Sequence, residues 1–277
     1  METSPTTDVA KEDILADAEG LQVAMDGVYA TMYNRLDFVS ANAHQCFGNM
    51  AVTLAADLMG DDMVQTAQGA GWFWKDYNYD QRSRYTSKIW RCYFTWKYFY
   101  EIISNVNYII SASETATGDE NEILCTTAQA YAARAFSYFM LIQSFQQTFV
   151  GHEDLPGVPI YTEPTSASST GNKRASVRQV YALIDNDLEI AVAMFGKCGI
   201  KRKHISNFDL YSTSLLQARV ALVENDWGKA VQAAEKAIST PDASLLTRSD
   251  ATVTKGTFDD STTEWTTGKT PFNSVQS

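Results

Sequence analysis

The spacing of apolar residues constrains the fold of this 277-residue chain more than any other feature. They recur at three- and four-residue steps, which is the period of an α-helix that buries one face. The first series predicts an amphipathic helix that ends at about Tyr33: Ile14, Leu15, Ala18, Leu21, Met25, Val28 and Met32. Four glycines interrupt residues 41–71, so no long element is expected there.

A long helix is predicted from about Ser83 to Ser111. Its two apolar rows form so wide a face that most of the helix circumference is expected to be buried. The first row is Ile89, Tyr93, Trp96, Tyr100, Ile103 and Ile110, and the second is Phe99, Ile102, Val106 and Ile109. We therefore expect Tyr93, Trp96 and Tyr100 to lie in the core.

A third long helix is predicted from about Glu122 to Gln147. Prolines at positions 156, 159 and 164 forbid its continuation, and residues 162–175 are rich in Ser, Thr and Gly. This segment is expected to be a surface loop.

The next helix begins with a capping box, Ser176-x-x-Gln179. In this motif the serine oxygen accepts a hydrogen bond from a helix amide, and the glutamine side chain reaches back to the cap. The predicted buried face of this helix is Val177, Val180, Tyr181, Ile184, Leu188, Ala191 and Phe195.

Residues 225–241 resemble the second helix of a tetratricopeptide (TPR) repeat. Small residues at positions 230, 233, 234 and 237 would let a neighbouring helix approach closely, and Pro241 would end the unit. A first helix of about Asn207 to Val223 precedes it. We predict one all-α domain over residues 1–277, in which TPR-like helical hairpins within about 83–147 and 176–241 pack as a short right-handed solenoid. Residues 242–277 are expected to be an irregular, loop-rich tail, consistent with the edge of a truncated second half.

Composition excludes several classes of function. The chain has 22 Lys and Arg against 33 Asp and Glu, a net charge of −11, which disfavours nucleic-acid binding. The short cluster Lys201-Arg202-Lys203 is interpreted as a solvated loop. Four dispersed cysteines, Cys46, Cys92, Cys125 and Cys198, are interpreted as buried thiols, and three scattered histidines give no metal-ligand spacing.

The sequence has no apolar run long enough to cross a membrane, and its first residues are too polar for a signal peptide. Two expectations remain open: a cytoplasmic protein, or a mature or trimmed form of an exported one.

The segment from Gly71 to Asp80, GWFWKDYNYD, is the best candidate for a ligand site. Residues 72–100 hold 13 of the chain's 33 aromatic residues, and the first of these follow no helical period. A sugar ring presents a flat patch of C–H groups that can lie on an aromatic face, while its hydroxyls need polar partners. Lys75, Asp76, Asn78 and Asp80 supply such groups. The predicted glycan-binding residues are Trp72, Trp74, Tyr77, Asn78 and Tyr79; the alternative is an aromatic cluster that only packs under the loop.

Other polar groups are given structural interpretations. Asp57, Asp61 and Asp62 could bind calcium, but carboxylates beside glycine are more often solvated. Arg134, set among alanines, is expected to bond a carboxylate or the backbone. The sequence shows no nucleophile turn and no evident pair of catalytic carboxylates. We therefore predict a protein without enzymatic activity, cofactor or metal.

Several segments, taken in order, resemble the SusD-like (RagB/SusD) family of outer-membrane glycan-binding lipoproteins. The first are Ala24-x-x-Gly27-x-Tyr29 and Trp96-x3-Tyr100-x2-Ile103-x3-Asn107. An Ala-Arg-Ala-Phe helix at residues 133–136 follows, with Val158-Pro159-Ile160 after it. The helix that begins at Val177 and the TPR-like pair complete the series. Each motif alone is weak, but their order and spacing together are specific.

The resemblance implies a non-catalytic protein that binds oligosaccharides or polysaccharides at the bacterial cell surface. It also implies delivery to a TonB-dependent (SusC-like) outer-membrane transporter, with attachment to the outer membrane through a lipid anchor on the full-length precursor. In that family an aromatic loop before the long helix helps to form the glycan platform.

Three departures from the family stand out. Its members are nearly twice as long, the lipid-bearing cysteine is absent, and Gln129 stands where the family often has glycine. Two other functions therefore remain open: a TPR-type adapter that binds a partner's peptide, and an all-α enzyme such as a glycosidase.

Overall fold

The computed structural model describes residues 14–36, 40–61, 63–80, 89–166 and 168–239. These ranges contain eight α-helices, one 3₁₀ helix at Ser40–Gln45 and one two-stranded sheet. The helices are α1 (Ala18–Tyr33), α2 (Gly48–Leu58), α3 (Trp74–Tyr77), α4 (Trp90–Ser113), α5 (Glu120–Phe145), α6 (Val177–Cys198), α7 (Leu210–Glu224) and α8 (Trp227–Ile238). The strands are β1 (Pro156–Pro159) and β2 (Arg174–Ser176). The predominantly helical prediction is confirmed.

Helix α5 is the centre of the core. It packs against α4 on one side and against α6 on the other, and α1 contacts both α4 and α5. Five of its alanines are almost completely buried, which lets the neighbouring helices approach closely. These are Ala128, Ala130, Ala132, Ala133 and Ala135.

The predicted orientation of α4 is partly wrong. Its buried face centres on Phe94, Phe99 and Ile102, whereas Tyr93 is 45% exposed. Trp96 and Tyr100 are only half-buried, and both line an open cleft. The reason is that α5 and α1 cover one side of α4, and the apolar pattern was too wide to show which side.

Two other predictions also change: the start of α4 and the absence of a long element in residues 41–71. Ile89 is extended and precedes α4, and the predicted start of this helix at Ser83 lies outside the described residues. Residues 41–71, expected to hold no long element, contain the eleven-residue helix α2. Its first residue, Gly48, has a φ of +60°, and a Cβ atom there would lie 2.0 Å from the carbonyl oxygen of Met32. Only glycine fits this approach between α2 and the end of α1.

The segment between α5 and α6 is not wholly a loop. β1 and β2 pair in antiparallel fashion, with Pro156 opposite Ser176 and Pro159 opposite Arg174. The all-α prediction is therefore corrected by one two-stranded sheet. The segment between the two strands lies against α4. The predicted capping box is confirmed, because the Ser176 hydroxyl accepts from the Gln179 amide at 3.2 Å and Gln179 Oε1 accepts from the Ser176 amide at 2.9 Å.

Helices α7 and α8 form the predicted TPR-like hairpin. Asn225 turns the chain between them with a φ of +61°. The small residues Ala230, Ala233 and Ala237 are buried where α8 meets α7. The stacking of hairpins into a solenoid stays a prediction, and the predicted tail, 242–277, lies outside the described residues.

The cysteine prediction needs one correction. Cys46, Cys125 and Cys198 are buried, but Cys92 is exposed. It follows Arg91 on α4, where the buried face of the helix includes Arg91, Phe94 and Thr95. Its position in the helical rotation therefore points it away from the core.

Arg134 and Asp187 form a buried ion pair between α5 and α6. Arg134 Nε donates to Asp187 Oδ2 at 2.7 Å, and Nη2 donates to Oδ1 at 2.8 Å. Nη1 donates to Asn107 Oδ1 on α4 at 2.9 Å and to the Thr162 carbonyl at 3.2 Å. The carboxylate partner expected for Arg134 is thus found.

Replacement of Arg134 by methionine is expected to lower the unfolding free energy by about 3–5 kcal/mol, because it leaves the Asp187 carboxylate buried without a counter-charge. Urea denaturation measures the loss. Arg178→Met is the control: it removes an exposed ion pair with Asp154 of 3.3 Å and should cost less than about 1 kcal/mol. Equal losses in the two variants would contradict the expectation.

A second charged cluster joins α6, α7 and α8. Lys229 Nζ lies 2.6 Å from Asp185 Oδ2, while Asp185 Oδ1 is buried with no hydrogen-bond partner among the described residues. Burial, reinforced by the charge of Asp185, raises the pKa of Glu224 to about 7. A protonated Glu224 carboxyl can supply the hydrogen bond that Asp185 Oδ1 lacks.

Stability should therefore fall as the pH rises from about 4.5 to about 7, the range between the ordinary and the folded pKa of Glu224. The protonated form is the one that the fold favours, so its contribution is complete below that range and is lost above it. Thermal unfolding of the wild type and Glu224→Gln from pH 4 to 8 measures the effect. The glutamine variant should flatten this part of the profile, and Glu189→Gln, on the exposed side of Lys229, should not. An unchanged profile in Glu224→Gln would assign the pH dependence to other groups.

Candidate functional site

The aromatic segment is folded around the single turn of α3. Phe73 precedes α3 and Tyr79 follows it, and each has a φ of +56°. A non-glycine residue in this region costs about 1–3 kcal/mol, so the surrounding structure must hold the turn in place. Such strain is concentrated at sites where a fixed geometry is needed.

A buried ion pair holds this turn. Asp76 is 1% exposed, and its two carboxylate oxygens accept from Arg91 Nε at 3.1 Å and Nη2 at 3.0 Å. Arg91 Nη1 also donates to the Gln45 carbonyl at 3.0 Å. The side chain of Gln45 in turn accepts from the Phe73 amide at 2.7 Å. Phe73, which precedes the turn, and Asp76 within it are thus both linked to Arg91 at the start of α4, Phe73 through Gln45.

Stacking adds to these polar contacts. The Arg91 guanidinium lies 4.1 Å from the centroid of the Trp90 ring and 4.9 Å from that of Phe73. Phe73 is buried and meets Phe47 edge to face at 5.8 Å. The planar guanidinium can form a bidentate pair and stack at once, which a lysine could not do.

The remaining aromatic residues of the segment face outward to different degrees. Trp72 is 50% exposed, with its ring 5.2 Å from that of His44, and Tyr79 is 44% exposed. Trp74 and Tyr77 are half-buried, with ring centroids 5.8 Å apart. These four residues lie on or next to one turn that the Asp76–Arg91 pair supports, and together we term them the α3 surface.

The predicted polar partners divide into two groups. Asn78 lies at the α3 surface, where its Nδ2 donates to the Trp74 carbonyl at 2.8 Å. Lys75 and Asp80 are exposed beside it. Asp76 was expected to serve sugar hydroxyls, and that is wrong, because the ion pair with Arg91 buries it. The hydroxyl of Tyr79 is also engaged, as a donor to the Met59 carbonyl.

The structure brings the five predicted residues to one turn, but the residues that support them had no signal in the sequence. Gln45, His44 and Arg91 are distant from the segment along the chain. In the sequence, nothing distinguishes Arg91 from any other charged residue near the start of a helix. Of the three aspartates considered for calcium binding, Asp57, Asp61 and Asp62, the last lies outside the described residues.

Comparison with known proteins places the chain in a family. The SusD-like family model described as "Starch-binding associating with outer membrane" matches residues 13–203. The chain belongs to the SusD-like family. Proteins of this family bind carbohydrate and are non-catalytic.

Individual proteins that the chain resembles are also SusD-like. SusD-like protein P2 of Formosa agariphila is 26% identical over 239 residues, which make up 86% of this chain and 43% of the relative. A SusD-like carbohydrate-binding protein from Bacteroides vulgatus has a similar fold, with a TM-score of 0.71 at 22% identity over 85% of this chain and 47% of that one. A laminarin-binding SusD-like protein matches with a TM-score of 0.57 at 22% identity, over 81% of this chain and 43% of that one. The chain thus spans about half the length of these relatives.

None of the helices in the described ranges combines the length and the apolarity that a membrane crossing requires.

The support beneath the α3 surface can be tested by hydrogen exchange. Asp76→Asn leaves the Arg91 guanidinium without its charged partner, so the backbone amides of residues 73–78 should exchange at least about tenfold faster, equivalent to a local loss of about 1.4 kcal/mol. Peptides from α5 should change much less. Lys75→Gln, an exposed change in the same turn, is the control. Similar protection in both variants would mean that the ion pair does not hold the turn.

Proposed function

We propose that the protein binds oligosaccharides or polysaccharides on the α3 surface, without breaking any bond. The observation that carries the proposal is the exposure of Trp72 and Tyr79, with the half-buried Trp74 and Tyr77 between them in the chain, on a turn fixed by the Asp76–Arg91 pair. Aromatic faces suit the C–H patches of sugar rings. A surface held rigid before binding loses little conformational entropy on binding.

The polar groups at this surface fit a ligand rich in hydroxyls. The Asn78 side chain has an amide carbonyl that makes no hydrogen bond to other described residues. Lys75 and Asp80 add one group of each charge at the rim. The family description names starch and one relative binds laminarin; both are neutral glucans. A neutral glucan is therefore the ligand class that we propose.

We further propose that the full-length protein is lipid-anchored on the outer surface of the outer membrane. There it would deliver bound glycan to a TonB-dependent, SusC-like transporter. The support is the family's association with the outer membrane. Co-purification of the full-length protein with a SusC-like β-barrel expressed in the same cells would test the partnership.

A peptide-binding adapter is the second candidate. The observation that favours it is an apolar groove between α7 and α8, with Leu222, Trp227 and Val231 exposed. Peptides commonly dock on apolar helical grooves. Trp227 in this groove also serves as the control for substitutions of Trp72 and Trp74, because it is an exposed tryptophan far along the chain from α3.

Trp72→Ala and Trp74→Ala are each expected to weaken binding of maltohexaose or laminarihexaose about tenfold, the equivalent of about 1.4 kcal/mol for a lost stacking contact. Isothermal titration calorimetry measures the affinity. Trp227→Ala should leave it unchanged, and the thermal midpoint of Trp72→Ala should move little because half of its side chain is already exposed. Unchanged affinity in both α3 variants would remove this surface from the site.

A further inference from the structure

A second cleft lies beside the middle of α4, and none of its residues belongs to the α3 surface. It encloses about 310 Å³ between α4 and the chain that joins β1 to β2. Trp96 follows Arg91 by five residues, which places it roughly 7 Å further along the helix axis and roughly 140° around it. The two aromatic sites thus share α4 as support but use different sides of it.

Three aromatic rings form the wall of this cleft. Trp96 and Tyr100 are 4.9 Å apart between centroids, and Tyr161 meets Tyr100 at 5.9 Å with the ring planes at 85°. Each ring is half-buried, so each presents part of its surface to the opening. Such partly buried aromatic residues offer apolar contact area at a small entropic cost.

The wall is fixed by side-chain hydrogen bonds from α4 to the backbone of the facing segment. The Tyr100 hydroxyl donates to the Pro159 carbonyl at 2.7 Å. Asn107, 1% exposed, donates to the carbonyls of Tyr161 and Glu163 at 3.1 and 3.2 Å. Asn107 Oδ1 accepts from Arg134, so the cleft is joined to the central ion pair of the core. Its shape is therefore set before any ligand arrives.

Hydroxyl groups surround the opening. They belong to Ser104 on α4 and to Thr165, Ser166, Ser169 and Thr170 on the facing loop. The hydroxyls of Ser104, Thr165 and Thr170 make no hydrogen bond to another residue in the described part of the chain. Hydroxyls both donate and accept, which matches the hydrogen-bonding capacity of a sugar.

The described residues that line this cleft carry no charge. The nearby Arg174 guanidinium lies 5.5 Å from the centroid of the Trp96 ring, and its Nη1 donates to the Gly157 carbonyl at 2.7 Å. A different cavity, between α1, α5 and the loop before α7, contrasts with it, because the lining there includes Glu19, Asp26, Glu122 and Lys201-Arg202-Lys203. An uncharged, aromatic, hydroxyl-rimmed cavity disfavours ionic ligands. Its volume is at the small end of the range for small-molecule sites, so it fits a short ligand or one end of a longer one.

We infer that the cleft at Trp96, Tyr100 and Tyr161 is a second carbohydrate site, which takes a short neutral saccharide or the end of a neutral glycan chain. This inference extends the proposed carbohydrate-binding function from one surface to two. The same domain can then hold two short glycans, and a glycan long enough to reach both sites would gain avidity over either site alone.

The cleft can be blocked without removing its supporting residues. Gly171 lines it, and a Cβ atom there would have one neighbour within 4 Å, the Tyr161 hydroxyl at 3.8 Å. We therefore expect Gly171→Trp to fill part of the cavity and to leave α4 and β1 intact. Gly196→Trp is the matched control, because Gly196 is exposed on α6 and its Cβ would have no neighbour within 4 Å.

The experiment titrates maltose, laminaribiose and the two hexasaccharides into four proteins by calorimetry. They are the wild type, the α3 double variant Trp72→Ala/Trp74→Ala, and this double variant with either Gly171→Trp or Gly196→Trp. We expect the double variant to retain saccharide binding. Addition of Gly171→Trp should weaken that residual binding at least tenfold, and addition of Gly196→Trp should not. Near-ultraviolet circular dichroism verifies that each variant is folded.

The outcomes separate the two proposals. If the α3 double variant binds no saccharide, or if Gly171→Trp binds as tightly as its parent, the second site is overturned and the α3 surface stands. If the α3 double variant binds like the wild type and Gly171→Trp abolishes binding, the cleft stands and the α3 surface is removed from the site. A wild-type chain that binds none of the saccharides overturns both.

Discussion

Four segments of the chain meet at the Arg134 guanidinium. It forms two hydrogen bonds with Asp187 on α6, and because both side chains are buried, water does not compete for these bonds. It also donates to Asn107 on α4. It also donates to the Thr162 carbonyl in the chain after β1. A bidentate pair fixes direction as well as distance, so the arrangement sets the positions of α4, α5 and α6 together. The irregular segment between β1 and β2 is held to the helical core by the same group.

The same device appears a second time, at the α3 surface. There Arg91 forms a bidentate pair with Asp76 and also bonds the backbone at Gln45. In both places a buried arginine on a long helix holds backbone that lies outside the long helices. Buried ion pairs contribute little net stability compared with apolar packing, but loss of one partner is costly. Their value in this fold is the fixed placement of non-helical segments: one carries the α3 surface, and the other closes the second cleft against α4.

Much of the helical framework could be predicted from the sequence, because its signals are local. The capping box at Ser176 and Gln179 and the TPR-like hairpin near Trp227 follow from residues close together in the chain. Helix α2 was missed because glycine usually interrupts helices, whereas Gly48 starts this one where the chain passes closely over Met32. That contact joins residues far apart in the sequence, and no periodic pattern reports it.

The candidate sites show the same contrast between local signals, which the sequence reports, and contacts between distant residues, which it does not. The five predicted residues of the α3 surface are found together because they are neighbours in sequence. The role of Asp76 was misjudged because its partner, Arg91, comes from the next helix. Trp96 and Tyr100 were assigned to the core for a related reason: periodicity shows that α4 has a wide apolar face but cannot show how much of it the other helices cover. The part left uncovered is the aromatic wall of the second cleft. An apolar stripe wider than its packing partners need is therefore informative in itself, because the excess width marks where a rigid helix can offer aromatic surface to a ligand.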